Sequence, residues 1–219
     1  MLTIGNGNPY LPPQMAQVIW GLDPSTNTGL IIMDAGSAEV LHACNIQTDP
    51  REKPTKQQRE AKKQGKLVHP IERVKWYAEQ LEALRLKYGE PALIVIEDYG
   101  FAASRQSVDT IITQCYVGFV LRDWARSHGI PYIEIPPTTL KSFVGAAKKE
   151  QVMMLVLKRW GHTSKTNDQA DAYVLAQIGR HAMGIVAGRA EDRKALAKLK
   201  DDEVIQTYVP PELVPGIYQ

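Results

Sequence analysis

Four aliphatic residues in succession, Leu93-Ile94-Val95-Ile96, run straight into two acids, Glu97 and Asp98. An aliphatic run without alternation marks a strand covered on both faces, which requires helices packed on both sides of its sheet. The flanking sequence supplies them. From Ile71 onward, Val74, Tyr77, Ala78, Leu81 and Leu84 recur at helical spacing until Gly89 and Pro91 stop the pattern. A second helical stretch covers about Ser107 to Ser127, closed by Gly129 and Pro131, and Tyr132 to Ile135 follows as another strand. Such strand-helix-strand crossovers join parallel strands. Upstream, Val18 to Leu22, Gly29 to Met33 and Glu39 to Ile46 read as three antiparallel strands, with Asp23, Pro24, Ser25, Asn27 and Gly29 as turn formers between the first two. The expected fold is α/β, a mixed five-stranded sheet flanked by helices.

After that last strand, Pro136-Pro137 precedes Thr138, a candidate N-cap for a short helix. Two more helices are expected, Lys149 to Trp160 and Asp168 to about Met183. The composition shifts at three places. Residues 1–17 form a Gly/Asn/Pro-rich arm. The stretch Arg51 to Lys66 carries seven Lys or Arg with little apolar content, and reads as an exposed basic insert. Residues 185–219 combine a charged helical stretch, Arg189 to Glu203, with a Pro-rich end, and read as an appendage docked on the domain or on a partner. The organisation expected is therefore an arm, a domain over 18–184 and the appendage.

With 219 residues, 44% of them hydrophobic, the chain suits one compact decorated domain. Its formal net charge of +2 does not by itself announce a nucleic-acid binder, so the clustering of charge matters more than the sum. Cys44 and Cys115 are too few and too far apart for a disulfide framework or a cysteine zinc site, and read as buried thiols in a reducing cytoplasm. No apolar run approaches the roughly 20 residues that span a bilayer, and the N-terminus lacks the pattern of a signal peptide.

Four acids stand at places where the pattern converges. Asp23 ends the first strand and Glu97 the buried fourth one, while Asp168 and Asp171 open the last core helix three residues apart, on one face. Carboxylates gathered without His or Cys favour hard cations, Mg²⁺ or Mn²⁺. Two such ions about 3.5–4 Å apart are suited to phosphodiester hydrolysis. Simpler readings compete: Asp23 before Pro24 as a turn residue, Asp168 as a helix N-terminal charge. Strand alternation lets only one of Glu97 and Asp98 face the cleft, and leaves open which.

The pieces Gly21-Leu22-Asp23-Pro24-Ser25, Ile94-Val95-Ile96-Glu97 and Asn167-Asp168-Gln169-Ala170-Asp171-Ala172 resemble, in order, the three acidic motifs of the RuvC family of Holliday-junction resolvases. Pro136 to Lys141, with Val144-Gly145 and Lys148 to Val152, resembles that family's basic segment between its last two motifs. The similarity runs from about Val18 to Met183, interrupted at the basic insert. It implies a ribonuclease-H-like fold, with Asp23, Glu97, Asp168 and Asp171 as ligands of Mg²⁺, for which Mn²⁺ substitutes, two ions to a site. It also implies Glu97 rather than Asp98, a homodimer, and paired nicks in a four-way DNA junction. The insert and tail depart from the family pattern and also fit a bacteriophage or mobile-element version.

Cations must flank an acidic site that receives a polyanion. Lys141, Lys148 and Lys149 are placed for this, and the resemblance sets Lys141 and Lys149 near the scissile phosphate. Lys149 is the candidate catalytic cation. Tyr99 and Phe101, just after Glu97, are candidates for stacking on a base at a branch point, with core packing at the helix entrance as the competing reading. The resemblance favours Phe101, and Ser104, Arg105 and Gln106 just beyond are candidates for contacting DNA. The helix up to Ser127 is apolar on more than one face, through Ile111, Ile112, Cys115, Val117, Phe119, Leu121 and Trp124, so a second side must be buried. The dimer that the resemblance implies would supply this, and packing of the C-terminal appendage is the competing reading.

Three other readings stand beside this one. The same fold serves nucleases of flaps, forks or other branches. A branched-DNA-binding protein with structural acids would be non-catalytic. The segment Gly21 to Gly29 also resembles the phosphate-binding hairpin of sugar-kinase or actin-like ATPases, but that class uses two such domains and leaves Asp168 and Asp171 unexplained.

Overall fold

The computed structural model describes residues 17–47, 60, 63–64, 71–99, 108–200 and 209–218. Its centre is a five-stranded sheet in the order β3-β2-β1-β4-β5, built from β1 (Val18–Asp23), β2 (Asn27–Asp34), β3 (Val40–Gln47), β4 (Pro91–Glu97) and β5 (Tyr132–Ile135). Strands β1, β2 and β3 pair antiparallel, while β4 runs parallel to both β1 and β5. Helices α1 (Ile71–Tyr88) and α2 (Val108–Ser127) lie in the connections that lead into β4 and β5, which is why those strands are parallel. Every residue of the central β1 is buried, whereas the edge strand β3 is largely half-buried or exposed.

Alternation along the strands divides the interior into two layers. Trp20, Leu22, Leu30, Ile32, Ile94 and Ile96 face α1 and α2, where Trp20 stacks on Trp124 with ring centroids 5.7 Å apart. Ile19, Ile31, Leu93, Val95, Ile133 and Ile135 face the other layer. That layer contains α3 (Pro137–Val144), α4 (Val152–Trp160) and α5 (Asn167–Ala182). Helix α5 is buried along almost its whole length, because it touches β1, β2 and β4 on one side and is covered by α3 and α4 on the other.

Its approach to the sheet depends on two glycines. A Cβ on Gly21 would overlap the carbonyl oxygen of Ala172, and one on Gly29 would overlap that of Asp168. The β1–β2 hairpin is therefore pressed against the first turns of α5, which sets the distance between strand-borne and helix-borne acids.

The described parts of residues 185–219 join the same core. Helix α6 (Ala190–Leu196), a 3-10 turn at Ala197–Leu199 and the terminal helical turn α7 (Pro215–Tyr218) bring Ala195, Leu196, Leu199, Val214 and Ile217 into the α5 layer. Asp192, fully buried, fastens α6 to α4 through Arg159, with Nη2 to Oδ2 at 2.6 Å, and also accepts from the Arg189 backbone N–H at 3.0 Å. Burial works to raise the Asp192 pKa, but the Arg189 hydrogen bonds and the Arg159 charge outweigh it and hold the carboxyl below the usual range. The stability this group contributes is thus complete above about pH 4 and is lost as pH falls through its lowered native value. Asp192→Asn keeps the shape and removes the charge. It should cost about 1.5–3 kcal/mol in urea unfolding at pH 7, with the difference from the unsubstituted chain shrinking toward pH 3.

Two local expectations change. Thr138 is exposed and is not the N-cap of α3; Pro136 holds that position without a side-chain hydrogen bond, since a helix with Pro at its first position already lacks one of the unsatisfied N–H groups. Cys44 and Cys115 are free thiols but only half-buried, because β3 is an edge strand and part of α2 is open. Burial still pushes the Cys44 thiol up to about 11.

Candidate metal centre

The parallel register pairs Leu22 of β1 with Ile96 of β4, so the next residues, Asp23 and Glu97, emerge side by side at the strand ends. Alternation sends both toward α5: Asp23 follows Ile19 and Gly21, and Glu97 follows Leu93 and Val95, on the face of the sheet that packs on that helix. Asp171 lies in the first turns of α5, above the close contact at Gly21. One carboxylate oxygen from each of Asp23, Glu97 and Asp171 falls within 4.8 Å of the other two. Asp23 is 6% exposed and Asp171 3%, while Glu97 is half-buried and opens the cluster outward.

The loop that carries Asp23 is pinned locally. Thr28 Oγ1 accepts from the Ser25 N–H at 3.2 Å and donates to the Ser25 carbonyl at 2.9 Å, and the Tyr77 hydroxyl of α1 donates to that same carbonyl at 3.0 Å. Helix α5 is capped by Thr166, whose side chain accepts from the Gln169 N–H. The positive end of its dipole lies at the first turn, which carries Asp168, where it favours negative charge.

Three carboxylates this close repel one another, and that repulsion is relieved by a cation among them. The donor set is all oxygen, with no His or Cys in the group, which fits a hard divalent ion such as Mg²⁺ or Mn²⁺. The arrangement can hold a metal at the mouth of the sheet, beside a helix N-terminus suited to phosphate.

Asp168 stands apart from this group of three. It is half-buried at the start of α5, and its Oδ2 accepts from Asn27 Nδ2 at 3.1 Å. Asp98 points the other way, toward α2, where its Oδ1 lies 3.7 Å from Arg122 Nη2; Arg122 also grips Glu134 of β5 at 2.7 Å. Burial first, and the Glu134 charge beside it, raise the Asp98 pKa. Of the two acids that alternation left open, Glu97 faces the cluster.

The basic candidates surround the α3–α4 connection. Lys141 is half-buried in the last turn of α3, and Lys148 is exposed. Lys149 begins a 3-10 turn, Lys149–Gln151, that leads into α4. Gln151 Oε1 fastens this connection by accepting from the N–H groups of Ala147 at 2.9 Å and Lys148 at 3.1 Å. Phe101, Arg105 and nearly all of the basic insert lie outside the described residues. On α2, Phe119 is 63% exposed and Ile111 is also exposed, and no described residue covers them.

Sequence reading passed over the amides near the site. Asn27 was legible only as a turn residue and Gln169 only as a member of the third acidic motif, while Asn45 carried no signal, because their partners come from distant segments.

No protein-family model matches this sequence, and no curated protein matches it. Among solved structures, the fold is similar to that of RuvC from Thermus thermophilus in complex with a Holliday junction substrate, with a TM-score of 0.56 at 18% identity, covering 84% of this chain and 96% of that one. It is likewise similar to a second Thermus thermophilus RuvC structure, with a TM-score of 0.53 at 23% identity, covering 79% of this chain and all of the other. The mixed sheet flanked by helices is thus a ribonuclease-H-like fold.

Proposed function

We propose that this chain is a RuvC-like, divalent-metal-dependent endonuclease that cleaves branched DNA, resolving four-way junctions by paired symmetric nicks. The observation that carries the proposal is the convergence of Asp23, Glu97 and Asp171 within 4.8 Å at the sheet mouth of a ribonuclease-H-like fold. One of the similar solved structures is a complex with a Holliday junction substrate, which makes branched DNA the favoured substrate class.

Asp23, Glu97 and Asp171, joined by Asp168, would hold Mg²⁺ or Mn²⁺, two ions to a site. When bound, the ions supply a water activated for attack and neutralise charge on the phosphate and leaving oxygen. The residues do the rest. The buried pair Asp23 and Asp171 fixes the inner side of the site, and half-buried Glu97 lines its open side. Lys141 and Lys148 offset the negative field of the cluster toward an incoming polyanion, and Lys149 stabilises charge developing on the phosphate. Phe101 stacks on a base at the branch, and Arg105 holds the adjoining backbone. The products are 5′-phosphate and 3′-hydroxyl ends.

Paired nicks need two sites related by a two-fold axis, which a homodimer supplies. The exposed Phe119 and Ile111 on α2 give such a dimer an apolar face to bury. No described helix is long and apolar enough to cross a membrane, and the chain acts on DNA in the cytoplasm.

The testing experiment offers end-labelled four-way junction, flap, fork and plain duplex DNA to the purified chain with Mg²⁺ or with EDTA. Symmetric nicks in the four-way junction that disappear in EDTA are expected. Equal cutting of flaps and forks would replace junction resolution with a broader branched-DNA nuclease. No product with Mg²⁺ or Mn²⁺ would leave a binding protein whose acids are structural.

A further inference from the structure

Asn27 opens β2 immediately across the hairpin loop from Asp23, and its side chain makes a bond that a turn does not require. Its Nδ2 donates to Asp168 Oδ2 at 3.1 Å, linking residues 141 positions apart. Its own Oδ1 is buried and has no hydrogen-bond partner among the described residues. An amide placed to satisfy itself would meet both of its groups, since a buried acceptor left unmet costs stability. Rotating this one by half a turn would bring Oδ1 against the Asp168 carboxylate, acceptor facing acceptor. The orientation serves Asp168 at the amide's own expense.

The surroundings fix Asn27 from behind. Its N–H donates to Ser25 Oγ at 3.0 Å, and its carbonyl accepts from Asn45 Nδ2 at 3.2 Å. Asn45 Oδ1 in turn accepts from Gln169 Nε2 at 2.8 Å and from the Thr166 hydroxyl at 3.2 Å. Strands β2 and β3 are thereby tied to the capping turn of α5 on either side of Asp168. The chain of bonds begins at the hairpin that carries Asp23 and ends at the helix that carries Asp171.

We infer that Asn27 is a positioning residue for Asp168: its amide holds one carboxylate oxygen, so that the other is the donor presented to a divalent ion. This rests on the reading of Asp23, Glu97, Asp168 and Asp171 as metal ligands. Groups that hydrogen-bond a ligating carboxylate commonly change metal affinity by about 10–100-fold when removed.

Mn²⁺ binding to the full-length chain, without DNA, is the readout, followed through the electron paramagnetic resonance signal of the free ion. The unsubstituted chain is compared with Asn27→Ala, Asp168→Asn and the double variant. Thermal melting in EDTA shows that each is folded, and Asn27→Ser replaces Asn27→Ala should the latter fail to fold. Asn27→Ala should weaken Mn²⁺ binding about 10–100-fold, and should add nothing further once Asp168 is Asn. Asn45→Ala, which breaks the same network without touching Asp168, should weaken it far less. Additive losses in the double variant, or an equal loss in Asn45→Ala, would overturn the positioning role and leave the metal centre standing. Absence of Mn²⁺ binding by the unsubstituted chain would overturn both.

Discussion

Asp23→Asn and Glu97→Gln should each lower junction cleavage by at least about 10³-fold, while binding of the junction stays intact or tightens. Both substitutions keep the volume and remove one charge from a group whose oxygens lie within 4.8 Å of one another. What is lost is affinity for the cation and the alignment it provides. What is relieved is repulsion between the cluster and a phosphate backbone, and so binding does not follow cleavage down. Single-turnover cleavage in Mg²⁺ beside gel-shift affinity in EDTA separates the two quantities. Asp98→Asn is the matched comparison. Its side chain is one residue further on but lies toward Arg122 on the opposite side of the sheet, so it should change cleavage by no more than a fewfold. Full cleavage by both Asp23→Asn and Glu97→Gln would sink the assignment of the site.

The second large effect is on the fold. In Gly21→Ala the new methyl would overlap the Ala172 carbonyl oxygen and sit 2.7 Å from the Ala176 nitrogen. These are backbone atoms of a buried helix, so no rotamer change can make room, and α5 must lift from β1. A loss of at least about 3 kcal/mol is expected for an overpacked position of this kind, or roughly 6–12 °C in melting temperature for a chain of this size. Gly21→Val should yield no folded protein. Gly36→Ala, in the exposed β2–β3 turn with its nearest neighbour 3.5 Å away, should melt within about a degree of the unsubstituted chain. Because the same contact sets the distance from Asp23 to Asp171, folded Gly21→Ala should also bind divalent metal more weakly. A melting curve that matches the unsubstituted chain would mean that α5 does not approach the sheet as closely as described.

Much of the architecture was legible locally. The unalternated run Leu93 to Ile96 identified a doubly covered strand, and the structure extends it only to Pro91–Glu97. The helical period ending at Ser127 gave α2 to within a residue at each end, because Gly129 and Pro131 stop it chemically. Strand β1 was expected to end at Leu22 and ends at Asp23. The three acids that meet were each identified from position at a strand end or on a helix face. Boundaries set by capping were less secure: Thr138 has the side chain of an N-cap, yet Pro136 occupies that place in the backbone.

Sequence determined what depends on near neighbours along the chain: the period of apolar residues, the turns, and the order in which acids reach the ends of elements. Alternation along the strand could not choose between Glu97 and Asp98, because both phases bury one side of β4; the family resemblance implied Glu97, and the physical reason is α5 packing on one face with Arg122 lying on the other. The sequence did not reveal that Gly21 and Gly29 are where a helix meets the sheet, since a glycine's missing Cβ gains meaning only from the atoms facing it. Nor did it reveal Asn27, whose partner lies 141 residues away. Periodicity is a property of the chain, while close approach, orphaned acceptors and converging carboxylates are properties of elements brought together, and only the tertiary structure decides those.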